Sequence, residues 1–210
     1  MMRAGTLLFL PILAMLAADP PATPACDGAR RAVEASPGCG QSAMTGRAEA
    51  RRTAMALTIS SPAFPPNGAI PSRYTCEGAG LSPPLTWSGV PEGARSLALV
   101  VEDPDAPSGV FCHWSAFDVP PDRPGLAEGY GAGRPGDGFR EGVNDYGKPG
   151  YGPPCPPPGH GPHHYHFRLL ALREPRLGVA GAPRCAQILQ AARAAALAEA
   201  ELVGTYERKR

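Results

Sequence analysis

Lysine is almost absent: Lys148 and Lys209 are the only two in 210 residues. Charge of either sign is scarce in the balance, with 20 basic and 19 acidic residues giving a formal net charge of +1. A nucleic-acid binder normally carries a basic patch or a high pI, so no nucleic-acid partner is expected. No basic amphipathic helix is legible, which argues against docking on a membrane surface. No apolar run reaches the roughly 20 residues that a spanning helix needs. There is no CxxC pair and no zinc-finger spacing. The GxSxG elbow, the HExxH helix, the Walker loop and GxGxxG after a strand are all missing. No catalytic nucleophile stands out, so the chain is expected not to be an enzyme and to need no cofactor.

What is abundant is glycine and proline, 26 and 27 residues, about a quarter of the chain. Ordinary usage is nearer ~12%. Half of them fall between Asp103 and His163, 13 of each, with no three-residue period, so a collagen helix is excluded. A long helix cannot cross this window, because proline removes a backbone donor and clashes with the preceding turn. Strand-like apolar runs flank it, and the hydrophobic fraction of 43% suffices for a core. The window reads as a rigid, loop-built surface on a folded scaffold, the usual place for a site.

Residues 1–54 differ from the rest. A short basic start (Met1-Met2-Arg3) precedes the 12-residue apolar run Leu7–Ala18. That run suits a signal-peptide core, although Pro11 interrupts it and no clean cleavage site follows. Residues 19–54 are polar, rich in Ala, Arg and Gly, and have no helix or strand period. Two readings stand. In one, 1–54 is a leader with a disordered linker on an exported or periplasmic protein. In the other, Met55 is the true start of a cytoplasmic chain, since Met55-Ala-Leu-Thr-Ile opens a strand-like segment directly. Export is preferred. In either case residues 55–210 are the folded domain. Cys26 and Cys39 could pair if the chain is exported; buried free thiols are the bland reading for most of the six, and the disulfide state of Cys76, Cys112, Cys155 and Cys185 is left open.

Within the domain, Ala56–Ser60 and Leu85–Trp87 read as short strands. Ser96–Glu102 is a continuous apolar run expected to be a central strand buried on both faces. His113–Val119 is the next strand. His163–Leu172 is expected to be the longest, with His163, Tyr165, Phe167 and Leu169 on one face and His164, His166, Arg168 and Leu170 on the other. Cys185–Leu202 is Ala-rich without Gly or Pro and is expected to be a helix, followed by a last short strand at Thr205–Glu207. Turn signals between strands argue against a parallel βαβ sheet, so a mainly β (α+β) domain is expected.

Three segments concentrate polar groups at strand ends. Asp103-Pro104-Asp105-Ala106-Pro107 sets two carboxylates on a backbone restricted by two prolines. His113-Trp114 follows ten residues after Asp103. Tyr151 to Tyr165 supplies Gly backbone amides with His163 and Tyr165. Together they suit a small anion site: Gly turns aim N–H groups, His and Tyr donate, and a carboxylate orients a His. The bland alternatives are an ordinary Pro-Asp turn and solvent-facing or hydrogen-bonded histidines at 160, 164 and 166. A metal site is not expected: His164 and His166 share a face, but no third ligand is evident.

These segments, in this order and spacing, resemble the phosphatidylethanolamine-binding protein family, and most nearly its bacterial and archaeal Raf-kinase-inhibitor-like branch. Tyr74-Thr75-Cys76-Glu77-Gly78, Ser82-Pro83-Pro84-Leu85-Thr86-Trp87, Asn144-Asp145-Tyr146-Gly147 and Leu202-Val203-Gly204-Thr205-Tyr206-Glu207 fit it as well. The resemblance covers roughly residues 55–208. It implies an antiparallel Greek-key β-sandwich with a peripheral C-terminal helix and one small pocket for phosphate-like or carboxylate anions. Carried over by position, that pocket uses Asp103, Asp105, His113, Pro156, Gly161, His163 and Tyr165, with Tyr151 nearby. Cys155 stands where eukaryotic members often have Gly, and His164 stands where the family usually has Arg. The function implied is binding of a phosphate headgroup. The alternative is inhibition or regulation of a protein kinase or protease through the same Pro/Gly-rich face. A metal-dependent hydrolase is the remaining reading. A homodimer is left open.

Overall fold

The computed structural model describes residues 55–130 and 138–209. The signal-like run and the Cys26–Cys39 pairing lie outside them. The chain divides into two units, 1–48 and 49–210, and the described residues all belong to the second.

Nine strands and one α-helix are described: β1 (Thr58–Ser60), β2 (Gly68–Ala69), β3 (Leu85–Ser88), β4 (Ser96–Asp103), β5 (Phe111–Val119), β6 (Gly125–Leu126), β7 (Arg140–Glu141), β8 (His163–Leu172), α1 (Cys185–Ala195) and β9 (Ala196–Tyr206). They form a three-stranded sheet in the order β1-β3-β6 and a six-stranded sheet in the order β2-β9-β8-β4-β5-β7. Every pairing is antiparallel except the short β2–β9 contact. The domain is thus mainly β with one helix, as expected.

The two sheets share one core. Ile59, Leu85, Trp87 and Leu126 of the small sheet pack with Leu97, Leu99, Val101, Trp114, Phe167 and Leu169 of the large one. The other face of the large sheet carries Ala98, Val100, Phe117, Leu170 and Leu172, and α1 covers it with Cys185, Ile188, Leu189 and Ala192. Those four helix residues recur at i, i+3, i+4 and i+7, one face of a helix. β4 is therefore buried on both sides, and its unbroken apolar run is explained. The β8 alternation also holds: Tyr165, Phe167 and Leu169 point into the sandwich core. Truncating a buried ring such as Phe167 to Ala would cost about 3–5 kcal/mol.

Two expectations are corrected. The helix stops at Ala195, and residues 196–206 form the longest described strand, 11 residues against 10 for β8. The Ala, Leu and Glu of this stretch favour helix locally, but ten residues pair in register with β8, and that ladder overrides propensity. The inward positions Ala198, Ala200 and Leu202 pack on the core, while Glu199 and Glu201 face out. At Gly204 a Cβ would lie 2.7 Å from both Ile70 and Phe64, so only glycine fits there.

The four described cysteines are also not free thiols. Cys76 pairs with Cys155 and Cys112 with Cys185. The first bridge joins two loops already stitched by a Cys76 N–H to Pro154 carbonyl bond of 3.0 Å. The second ties β5 to the first residue of α1. With sequence separations of 79 and 73 between partners, no local spacing announces either bridge.

Candidate functional site

β4 ends on Asp103, which is 3% exposed. The following Pro-Asp turn folds back so that Asp105 N–H donates to Asp103 Oδ1 at 2.9 Å. The other oxygen, Oδ2, accepts Nδ1–H of His163, the first residue of β8, at 2.7 Å. Both partners are almost fully buried, at 3% and 1% exposure. The carboxylate thus fixes the imidazole's orientation and holds its proton on Nδ1. His163 Nε2 lies 2.8 Å from Nδ1 of His160. His160 is exposed and flanked by Gly159 and Gly161, whose φ of +73° and +93° turn the chain back over β8.

His113 comes from a break in the β4–β5 ladder. Val101 pairs with Trp114 and Glu102 with Cys112, leaving His113 as the extra residue. Such bulges re-aim a side chain. This one is pinned from both sides by Gly152: its N–H donates to the His113 carbonyl at 2.7 Å, and its carbonyl accepts His113 Nδ1–H at 2.9 Å. Burial pushes the His113 imidazole below its ordinary pKa, partly offset by the Gly152 bond and by the charges of Asp103 and Asp145. The ring is neutral at pH 7, and Nε2 then presents a lone pair.

Between these histidines lies a cavity of about 280 Å³. Asp103, His113 and His163 form its polar wall, while Pro107, Phe111, Pro156 and Pro157 form most of the remainder. Tyr146 and Cys155 close one side. Tyr165 stands behind His113, ring centroids 5.2 Å apart. Its buried hydroxyl makes no close hydrogen bond among the described residues, but it lies near enough to Asp103 to feel that carboxylate. Burial, reinforced by the Asp103 charge, raises its pKa far above the usual phenol range, so it is a neutral group in reserve.

The structure brings four of the eight expected site residues, Asp103, His113, Pro156 and His163, to the cavity wall. The other four are placed differently. Tyr165 is behind the wall. Asp105 is on the exposed rim, where its Oδ2 accepts both the backbone N–H of His164 at 2.8 Å and the His164 ring at 2.7 Å. That ring bond, ahead of burial's opposing effect, holds the Asp105 carboxyl below its usual range. Gly161 does not line the cavity; it shapes the turn that carries His160. Tyr151 lines a neighbouring cavity and donates its hydroxyl to the Tyr74 carbonyl at 2.9 Å. His164 and His166 are each taken by a carboxylate, Asp105 and Glu201 respectively. Among the described residues no group of three His, Cys, Asp or Glu is placed to hold a metal ion.

Sequence reasoning missed Tyr146 and His160. Tyr146 packs edge-on against Phe111 and His113, with centroids 4.8 and 5.7 Å away. The only signal for it was its place in the Asn144-Asp145-Tyr146-Gly147 motif.

No helix among the described residues is long and apolar enough to cross a membrane. A UPF0098 protein of Methanothermobacter thermautotrophicus is 48% identical over 153 residues, covering 72% of this chain and 99% of that protein. A Mycobacterium tuberculosis protein described as a "putative lipoprotein" is 44% identical over 155 residues, covering 72% of each. Among solved structures, a phosphatidylethanolamine-binding protein homologue from Chlamydia trachomatis superposes with a TM-score of 0.66 at 39% identity, over 73% of this chain and 98% of that one. Escherichia coli YbcL, described as a member of the mammalian family of the same name, gives 0.68 at 34% identity, over 72% and 98%. The family model for phosphatidylethanolamine-binding protein matches residues 60–207, and the chain belongs to that family.

Proposed function

We propose that the domain is a non-catalytic binding module for small phosphate-like or carboxylate anions, of the kind found on a phosphate headgroup. The observation that carries this reading is the cavity between His113 and His163, with His163 oriented by the buried Asp103. With its Nδ1–H given to Asp103, the neutral His163 ring presents an acceptor at Nε2, which takes a proton from a protonated ligand once His160 moves aside. His113 Nε2 accepts a proton from a singly protonated ligand or takes one up with it. The second proton of a phosphate monoester leaves near pH 6, so such a ligand is available around neutrality. Cys155 is tied in a disulfide and both nitrogens of His163 are engaged, so these two do not form a nucleophile–base pair. Titrating phosphate or phosphoethanolamine while following the two imidazoles by NMR tests the reading. No shift of either ring at millimolar ligand overturns it.

A protein partner on the same face is the second reading. It is favoured by Val110 and Tyr146, 61% and 44% exposed beside the cavity. A pull-down from the native host that loses its protein with Asp103→Ala and His163→Ala would support it; identical recovery by the variants removes it. Export fits two disulfides, which persist in oxidising compartments. N-terminal sequencing of the native protein tests export: a chain that begins at Met55 is the outcome against it.

A further inference from the structure

The two disulfides differ in what can reach them. Cys76 and Cys155 are both exposed, whereas Cys112 and Cys185 are only 4% and 2% exposed. A disulfide is opened by a thiolate that attacks one of its sulfurs, so an exposed bridge exchanges and a buried one resists. A bridge that served only as a staple would gain from burial, and Cys112–Cys185 is built that way.

The exposed bridge also has a cation at one end. Beyond β9 the chain runs past the loop that carries Cys155, and the Arg208 carbonyl accepts the Gly159 N–H at 2.8 Å. That bond holds Arg208 beside the bridge. Its Nη1 lies 3.7 Å from Cys155 Sγ, and its Nε lies 3.5 Å from a carboxylate oxygen of Glu77. Nε is buried and makes no hydrogen bond among the described residues, so the guanidinium has donor capacity to spare. Glu77 also accepts the Tyr206 hydroxyl. At the other end, Cys76 has the Glu77 carboxylate as its chain neighbour. A nearby cation lowers the pKa of a thiol, and the thiol of lower pKa leaves faster. Cys155 is therefore the leaving sulfur, and Cys76 is the one attacked.

We propose that the Cys76–Cys155 bridge is a thiol-exchange site, at which a small-molecule thiol adds to Cys76 and releases Cys155 as a thiolate held by Arg208. The thiol first gives its proton to solvent. Its sulfur then bonds to Cys76 Sγ, the Cys76–Cys155 bond breaks, and the electron pair of that bond leaves on Cys155 Sγ. One disulfide replaces another, so no further oxidant or reductant is consumed. A second thiolate that attacks the mixed disulfide completes the reduction: two thiols become their disulfide, and the bridge becomes two cysteines. Cys155 adjoins the Pro-rich cavity wall, so exchange cuts the covalent tie between that wall and the Tyr74 loop. The Cys76 N–H to Pro154 bond and the Tyr151 hydroxyl to Tyr74 bond remain to hold the two together. The site is independent of what the cavity binds.

The test treats the oxidised full chain with 2-mercaptoethanol near neutral pH, traps free thiols with iodoacetamide, and maps the peptides by mass spectrometry. Cys76–Cys155 is expected to open about tenfold faster than Cys112–Cys185, or more, with the adduct on Cys76 and the alkyl group on Cys155. Arg208→Gln should slow the opening about threefold or more and spread the adduct over both sulfurs. In a second measurement, Cys76→Ser leaves Cys155 as a free thiol, and its alkylation rate is followed against pH. The pKa read there is expected below the ordinary ~8.5 and should rise when Arg208→Gln is added. Equal opening rates for the two bridges, or Cys112–Cys185 opening first, overturn the site. Adducts shared equally by Cys76 and Cys155 in the unaltered chain, or a Cys155 pKa that Arg208→Gln leaves unmoved, overturn the part given to Arg208.

Discussion

His163 Nε2 lies 2.8 Å from Nδ1 of His160, so the nitrogen facing an incoming anion is already engaged by a neighbouring imidazole. Because Asp103 accepts Nδ1–H of His163, Nε2 of the neutral ring is an acceptor, and His160 Nδ1–H donates to it. A protonated anion must displace His160 before it can donate to His163 Nε2. His160→Ala is therefore expected to tighten phosphate binding about fivefold, the worth of one net hydrogen bond of about 1 kcal/mol. A phosphate titration of the variant checks this. Weaker binding would mean that His160 itself contacts the anion.

Asp103 and Asp105 look equivalent in the Pro-Asp turn, but they are not equivalent in place. Asp103→Asn leaves one of two buried donors, His163 Nδ1–H or Asp105 N–H, facing an amide N–H. The loss should be about 1–3 kcal/mol in unfolding free energy, with phosphate binding impaired as well. Asp105 serves an exposed His164, so Asp105→Asn should change stability by about 0.5 kcal/mol or less. Urea unfolding of the two variants side by side is the measurement. Equal losses would contradict the buried-hinge role of Asp103.

How much of this was legible depended on whether the signal was local. The two-residue period of β8, the unbroken apolar run of β4 and the turn chemistry after Asp103 are local, and each was read correctly. The 196–206 strand was not, since its Ala and Glu are better helix formers and only pairing with β8 makes it extended. The His113 bulge exists only as a mismatch between two strands. His160 looked like one histidine among several, because its partner is chosen by the turn between Gly159 and Gly161. The resemblance supplied four residues of the cavity wall, Asp103, His113, Pro156 and His163; it also named Asp105, which stands on the exposed rim, and said nothing of how Tyr146 closes one side.

His113 makes folding stability depend on pH in a known direction. Its folded pKa is below the unfolded value of about 6.5, because burial disfavours the cation. The neutral ring's contribution is present above that unfolded pKa and is lost as pH falls through the folded one. Stability should therefore fall on acidification from about pH 6.5. Asp105, with a lowered pKa, loses its contribution only below the ordinary carboxylate range, about pH 3.9, so the two windows are separate. Ligand binding should run the other way: proton uptake at His113 Nε2 makes phosphate affinity rise as pH drops toward 6. Thermal unfolding from pH 7.5 to 5, with His113→Gln as the comparison, reads both effects. A wild-type profile that His113→Gln leaves unaltered would contradict the assignment.

The two disulfides should separate stability from binding. Each closes a long loop, with sequence separations of 79 and 73, and by the chain-entropy argument each is worth about 2–4 kcal/mol. The loops overlap from Cys112 to Cys155, so the second bridge constrains a chain already shortened by the first, and their contributions should fall short of additive. Only Cys155 belongs to the cavity wall, where it adjoins Pro156 and Tyr146. Removing Cys76–Cys155 by paired Ala substitutions should lower both unfolding free energy and phosphate affinity, because the Pro-rich wall from 153 to 157 loses its anchor. Removing Cys112–Cys185 frees α1 from β5 on the opposite side of the large sheet, and should lower stability while affinity stays within about twofold. Denaturant unfolding and phosphate titration of the two paired variants distinguish these outcomes. Equal affinity losses would mean that the cavity depends on global rigidity rather than on the Cys155 anchor.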